Sequence, residues 1–223
     1  GSDTATYRIS LEWKRMNPDG SLDDVDQATA NESEKAALAM ITYAPRRVTL
    51  PPNVPQSIRI GIRPPQGLPD GEYRAHMLFR AIPEARPVVA TPAEGAKGVS
   101  IALTPIYGVT IPIIVRQGSL KATAAISGVA RETTPDGLPG LALNLERKGV
   151  RSTFGRIRIL DAGGKEIYES RGIAVYPEVG GRKVSLPLPP EVAPLVTGAL
   201  TVQYLEEPEA GGALIAETRT VLR

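Results

Sequence analysis

Few side chains in this sequence are able to do chemistry, and their spacing limits what they can do. His76 is the only histidine, and it lies on the polar side of an alternating stretch. Neither a Ser-His-Asp triad nor a multi-histidine metal site has anything to assemble around it, so an ordinary surface histidine is expected. Asp23, Asp24 and Asp26 crowd one loop but lack the glycine and distal glutamate of a calcium loop, and read as a solvated acidic loop. Gly163-Gly164-Lys165-Glu166 has no earlier glycine at phosphate-loop spacing and no following Ser or Thr, and reads as a turn. Glu206 and Glu207 are adjacent, and neighbouring side chains of a strand point to opposite faces, which is wrong for shared acid-base work on one substrate. Cysteine is absent, which removes disulfide frameworks, thiol catalysis and Cys-ligated zinc together. No enzymatic activity, cofactor or metal is expected.

Composition narrows the partners. The net charge of +2 favours neither nucleic acid nor an anionic membrane, and 4% aromatic residues leave few platforms for stacking single-stranded bases. No apolar run approaches the ~20 residues of a membrane helix, so no membrane insertion is expected. With 42% hydrophobic residues in a chain of 223, there is material for one or two buried cores.

The elements that must position any site read as β-strands. Prolines and glycines are spread along the whole chain and punctuate apolar runs, as at Pro18-Asp19-Gly20, Pro69-Asp70-Gly71, Pro135-Asp136-Gly137 and Asp161-Ala162-Gly163-Gly164. Residues 4–16 alternate as Tyr7, Ile9, Leu11 and Trp13 against Arg8, Ser10, Glu12 and Lys14, a strand with a candidate core tryptophan. Ile58, Ile60 and Ile62 form one apolar face opposite Arg59 and Arg63. Tyr73, Ala75, Met77, Phe79 and Ala81 alternate against Glu72, Arg74, His76 and Arg80; a helix is the rival reading, since Tyr73, Met77 and Ala81 are also spaced by four. Ser33 is a candidate cap for a short helix or coil over residues 32–40. A long strand over 99–116, the last of the first domain, carries Pro105 and Pro112, which edge strands or bulges accommodate, and their opposite parity places a bulge near Gly108 between them. Gln117-Gly118-Ser119 is the candidate boundary between a first domain over 1–117 and a second over 118–223. The second holds about seven short β-like runs, with 165–170 and 172–176 read separately and Gly180-Gly181 read as a hairpin turn. The fold class expected is all-β, with two β-sandwiches in tandem.

The pieces Pro45-Arg46-Arg47-Val48-Thr49-Leu50, Gln56-Ser57-Ile58-Arg59, Leu68-Pro69-Asp70-Gly71-Glu72-Tyr73-Arg74 and Ile82-Pro83 occur in the order and spacing of a known pattern. The sequence resembles the first domain of periplasmic pilus-assembly chaperones of the chaperone-usher type. The resemblance in motifs covers residues 7–116, and that in architecture the whole chain. It implies two immunoglobulin-like β-sandwich domains, a periplasmic location, a pilin-like secreted subunit as client and an outer-membrane usher as a further partner. Aligned on the family, the sequence starts at the third strand of the first domain. The cationic anchor that the first strands carry has no counterpart, and the family's anchoring lysine falls at Pro112, with Arg116 four residues on. A sandwich short of two strands exposes unpaired backbone, so a homodimer formed by strand exchange is expected.

Further roles follow from the same resemblance. Arg59 and Glu72 match a buried structural ion pair, although both residues also read as solvent-facing. Ile101, Leu103, Tyr107, Val109 and Ile111 match the strand that completes an incomplete subunit by β-augmentation, with Arg116 near its end. The same side chains alternatively fill this protein's own core. The functional expectation is a chaperone that caps surface-fibre subunits by strand donation; the alternative is a structural envelope module with fixed contacts and no transient client.

Overall fold

The computed structural model describes residues 3–83 and 105–222. In chain order its elements are β1 (Ala5–Glu12), β2 (Lys14–Met16), β3 (Leu22–Asp24), α1 (Glu32–Met40), β4 (Ile41–Ala44), β5 (Arg47–Leu50), β6 (Arg59–Ile62), β7 (Gly71–Ile82) and β8 (Gly108–Gln117). There follow β9 (Ala122–Thr133), β10 (Pro139–Gly149), β11 (Thr153–Leu160), β12 (Glu166–Val175), β13 (Gly181–Pro187), β14 (Gly198–Leu205) and β15 (Leu214–Leu222). The protein is all-β, its strands forming two four-stranded sheets, one three-stranded sheet and two two-stranded sheets among the described residues. Its two compact units are Gly1–Trp13, Asp26–Gln66 and Arg74–Ile114 in one, and Lys14–Val25, Gly67–Tyr73 and Val115–Arg223 in the other.

In the first unit the alternation of β1 sets the layering. The strand order of the main sheet is β5-β1-β7-β8, antiparallel between β1 and its two neighbours, with Ile9 opposite Phe79 and Leu11 opposite Met77. One face buries Ile9, Val48 and Met77, against which Tyr7, Phe79 and Ile113 pack. The run 73–81 is thus a strand, because period two places its large side chains on the core face and a helix would not. β4 and β6 form a separate two-stranded sheet, so the turn before β7 joins two sheets and closes no hairpin. Tyr73 holds that corner by donating from its hydroxyl to the Pro69 carbonyl at 2.7 Å.

Four local expectations over residues 4–76 are corrected. The strand over 4–16 breaks at Trp13, whose half-buried indole donates to the Glu34 carbonyl at 2.7 Å; it tethers α1 and does not enter the core. Ile60 and Ile62 are exposed, because among the described residues β6 pairs with β4 alone and a two-stranded sheet cannot cover its own apolar face. His76 is 1% exposed, directly opposite Glu12 in the β1–β7 ladder, and is not a surface histidine. Asp23 and Asp24 sit on β3, and Lys14 pairs with Asp24 across the β2–β3 hairpin, so the acidic stretch is partly ordered.

The α1 cap also lies elsewhere. Asn31, two residues before Ser33, accepts from the Glu34 backbone at 2.8 Å while the Glu34 carboxylate accepts from the Asn31 backbone at 2.7 Å, a complete capping box. Glu32 and Glu34 in the first turn complement the helix dipole. Asn31→Ala is expected to lower stability by about 1 kcal/mol, read as a shift of the urea midpoint at constant m-value.

The second unit is built from a three-stranded sheet, β13-β10-β9, and a four-stranded sheet, β12-β11-β14-β15. Alternating residues of β10, β11 and β14 fill the space between them: Leu141, Leu143, Leu145, Ile157, Ile159 and Val202 are nearly or fully buried. The two runs read as separate strands on either side of Arg171 are one strand, β12. It is bulged there, where Gly172 adopts φ +74° and the register with β11 slips between Gly155 and Ile157. Gly180-Gly181 closes no hairpin, since β12 and β13 belong to different sheets. Gly181 is needed for close approach: a Cβ there would meet the Leu145 carbonyl at 2.6 Å. Asp161, in contrast, shapes the expected β11–β12 turn by accepting from the backbones of Gly163 and Lys165.

Candidate functional site

β8 is an edge strand of its sheet among the described residues. The missing donor of Pro112 fits that place, since a central strand would have needed it. Its entry is fixed by Gly108, where a Cβ would press on the Leu78 side chain at 3.1 Å, and by the Ala81 backbone donating to the Tyr107 carbonyl at 2.9 Å. Along β8 the odd-numbered residues share one face. Ile113 on that face packs into the core around Ile9, Val48 and Met77. Ile111 and Val109, continuing the same row, are 49% and 61% exposed, and Tyr107 before them is 74% exposed. The core-facing row therefore runs out of the core and into solvent at the start of the strand. Among the described residues the row lies beside an unpaired strand edge, an arrangement able to accept a further strand with its apolar side chains.

Ile101 and Leu103 lie outside the described residues. Arg59 is exposed on β6. Glu72 finds its cation in Arg116: the guanidinium Nε donates to Oε2 at 3.0 Å, and Ser152 donates to the same oxygen from its backbone at 2.9 Å and from its hydroxyl at 2.8 Å. Arg116 also donates to the Ser152 hydroxyl at 3.1 Å. The Glu72 side chain is 1% exposed, so this carboxylate is a buried charge held by three donors. Arg116 is thus committed within the chain, and Ser152 is the member of the cluster that the sequence did not point to.

A buried cation, Arg147, is another residue that the sequence did not point to. It sits 7% exposed on β10, and its guanidinium donates to the carbonyls of Gly149, Arg151, Pro177 and Val179. Burial pulls its pKa below the usual arginine value, and the charges of Glu72 and Glu178 oppose that pull. Among the described residues no group of three His, Cys, Asp or Glu is placed to hold a metal ion. No described helix is long and apolar enough to cross a membrane.

By sequence, no family model and no curated protein matches. By structure, the chain is similar to fimbrial chaperones. The class 5 fimbriae chaperone CfaA is 12% identical, with a TM-score of 0.37 over 100% of this chain and 88% of that one. The chaperone DraB of E. coli is 12% identical, with a TM-score of 0.40 over 99% and 84%. A chain of the chaperone-tip adhesin complex of CFA/I fimbriae biogenesis is 12% identical, with a TM-score of 0.36 over 100% and 87%.

Proposed function

We propose that this protein is a periplasmic chaperone that binds a pilin-like or surface-fibre subunit and caps it by strand donation from β8, before handing it to an outer-membrane usher. The observation that carries the reading is the row Val109, Ile111 and Ile113, which begins exposed and ends in the core on an edge strand. The mechanism is steric and hydrophobic and involves no reaction. The client's unpaired strand takes hydrogen bonds from the β8 edge, and its open core takes the side chains of Val109 and Ile111. Release requires a competing strand.

The test is capture of secreted β-proteins co-expressed with the exported protein, followed by native mass spectrometry. A one-to-one complex is expected. Burial of each large apolar side chain is worth about 1.5–3 kcal/mol, so Val109→Asp with Ile111→Asp should weaken capture by about 100-fold or more. Because both residues are exposed, the double variant should keep the wild-type melting temperature. Undiminished capture by a folded double variant would refute the site.

The commitment of Arg116 to Glu72 and Ser152 favours a second reading, a structural envelope module. With that guanidinium engaged, Arg116 is not free to hold a client's terminal carboxylate. A homo-oligomer with no client bound is the outcome this reading expects.

A further inference from the structure

On the solvent face of the first unit's main sheet, the registers place Arg47 directly opposite Arg8, and Arg8 directly opposite Arg80. Residues directly opposite on antiparallel strands put their side chains on the same face, with neighbouring Cβ atoms about 5 Å apart. The three guanidinium stems thus stand in one row across β5, β1 and β7, and all three residues are exposed. No ion pair joins any of them to an acid of the described residues. By contrast, Arg171 is paired with Glu169 and Arg158 with Glu166.

The surroundings of the row are donors as well. One pair further along, Thr6 and Thr49 face each other with their hydroxyls 3.0 Å apart. On the other side Ser10 follows Arg8 on the same face of β1. Arg8, Ser10 and Arg80 line a concavity of about 560 Å³ with Leu78 and Ile82. The one carboxylate that also lines it, Glu12, is two residues beyond Ser10, at the His76 end of the ladder. Along an extended strand that is roughly 13 Å from Arg8.

Like charges directly opposite on a sheet are destabilising, and three in succession without an acid leave the folded chain with uncompensated repulsion. An anion laid across the row removes it, and guanidinium groups in a line suit an anion whose negative oxygens are spread along a chain. We infer that the Arg47-Arg8-Arg80 row is a binding site for an anion carrying two or more phosphate groups. The site is independent of the partner edge on β8, because it uses the solvent face of the sheet and no residue of that strand.

Tripolyphosphate is the probe, titrated into the full chain by calorimetry in phosphate-free buffer, with citrate as the carboxylate comparison. Wild type is expected to bind tripolyphosphate at least ten-fold more tightly than citrate, and binding should weaken as salt is raised because the row is exposed. Arg8→Gln with Arg80→Gln should weaken tripolyphosphate at least ten-fold, whereas Arg171→Gln, which removes an arginine paired with Glu169, should leave it unchanged. The melting temperature of the double variant without ligand should be no lower than that of wild type, since repulsion is relieved; tripolyphosphate should raise the melting temperature of wild type alone. Equal affinity for citrate overturns the phosphate assignment. Absent binding by wild type, or unchanged binding by the folded double variant, overturns the site.

Discussion

Arg147→Leu is expected to lower the stability of the protein by about 3–5 kcal/mol, the range seen when one partner of a buried charged network is removed. The guanidinium donates to the carbonyls of Gly149, at the end of β10, and Arg151, in the loop after it, and to two of the loop before β13, on Pro177 and Val179. A leucine fills part of the volume and answers none of the four acceptors, which remain shut away from water. Arg147→Lys separates charge from geometry. It keeps the cation and its attraction to Glu72 and Glu178, but a compact ammonium with three donors cannot reach both loops as a planar fork does. An intermediate loss, about half that of leucine, is therefore expected in urea unfolding. A cost below 1 kcal/mol for leucine would show that water or loop movement satisfies the four carbonyls.

Arg147 and Ser152 also show why part of this structure could not be read from the sequence. Legible features were those in which cause and effect lie within a few residues. The period of two in β1 and β7, the turns built on Pro-Asp-Gly and the Asp161 turn all follow from local dihedral preference and local hydrogen bonds. Illegible features depend on what arrives from elsewhere in the chain. Gly180-Gly181 has the composition of a hairpin turn, and only the assignment of β12 and β13 to different sheets shows that Gly181 serves close packing against Leu145. Trp13 alternates correctly for a core position, yet the strand breaks there and the indole meets Glu34.

The candidate sites divide the same way. The apolar alternation of Tyr107, Val109 and Ile111 is visible in the sequence, but whether such a row faces its own core or solvent depends on how far the opposing layer extends. That Ile113 is covered while Val109 is not is a property of the packed sheet. The resemblance pairs Glu72 with Arg59, whereas its partners in the structure, Arg116 and Ser152, come from 44 and 80 residues away. The Arg47-Arg8-Arg80 row is a consequence of strand register, and no spacing within one segment could have displayed it.

Above pH 10 the protein is expected to lose stability through Tyr204. The ring is 0% exposed at the centre of the second sandwich and its hydroxyl donates to the Ile173 carbonyl at 2.9 Å. Burial disfavours the phenolate and pushes the Tyr204 pKa from 10.0 up to about 12. In the unfolded chain the phenol loses its proton at the lower value. The folded state therefore holds the proton more tightly, and the contribution is complete below pH 10 and is lost as pH rises toward 12. The loss amounts to roughly 1 kcal/mol near pH 11 and roughly 3 kcal/mol when both states have ionised. Tyr204→Phe keeps the packing, has no proton to lose and leaves one buried carbonyl unpaired, so it should start about 1 kcal/mol less stable at neutral pH. Its stability should then fall less steeply than that of wild type through the alkaline range, and the two curves should cross between pH 10 and 12. Urea titrations of both proteins across that range measure the difference directly, and parallel curves would show that the phenol is hydrated before it ionises.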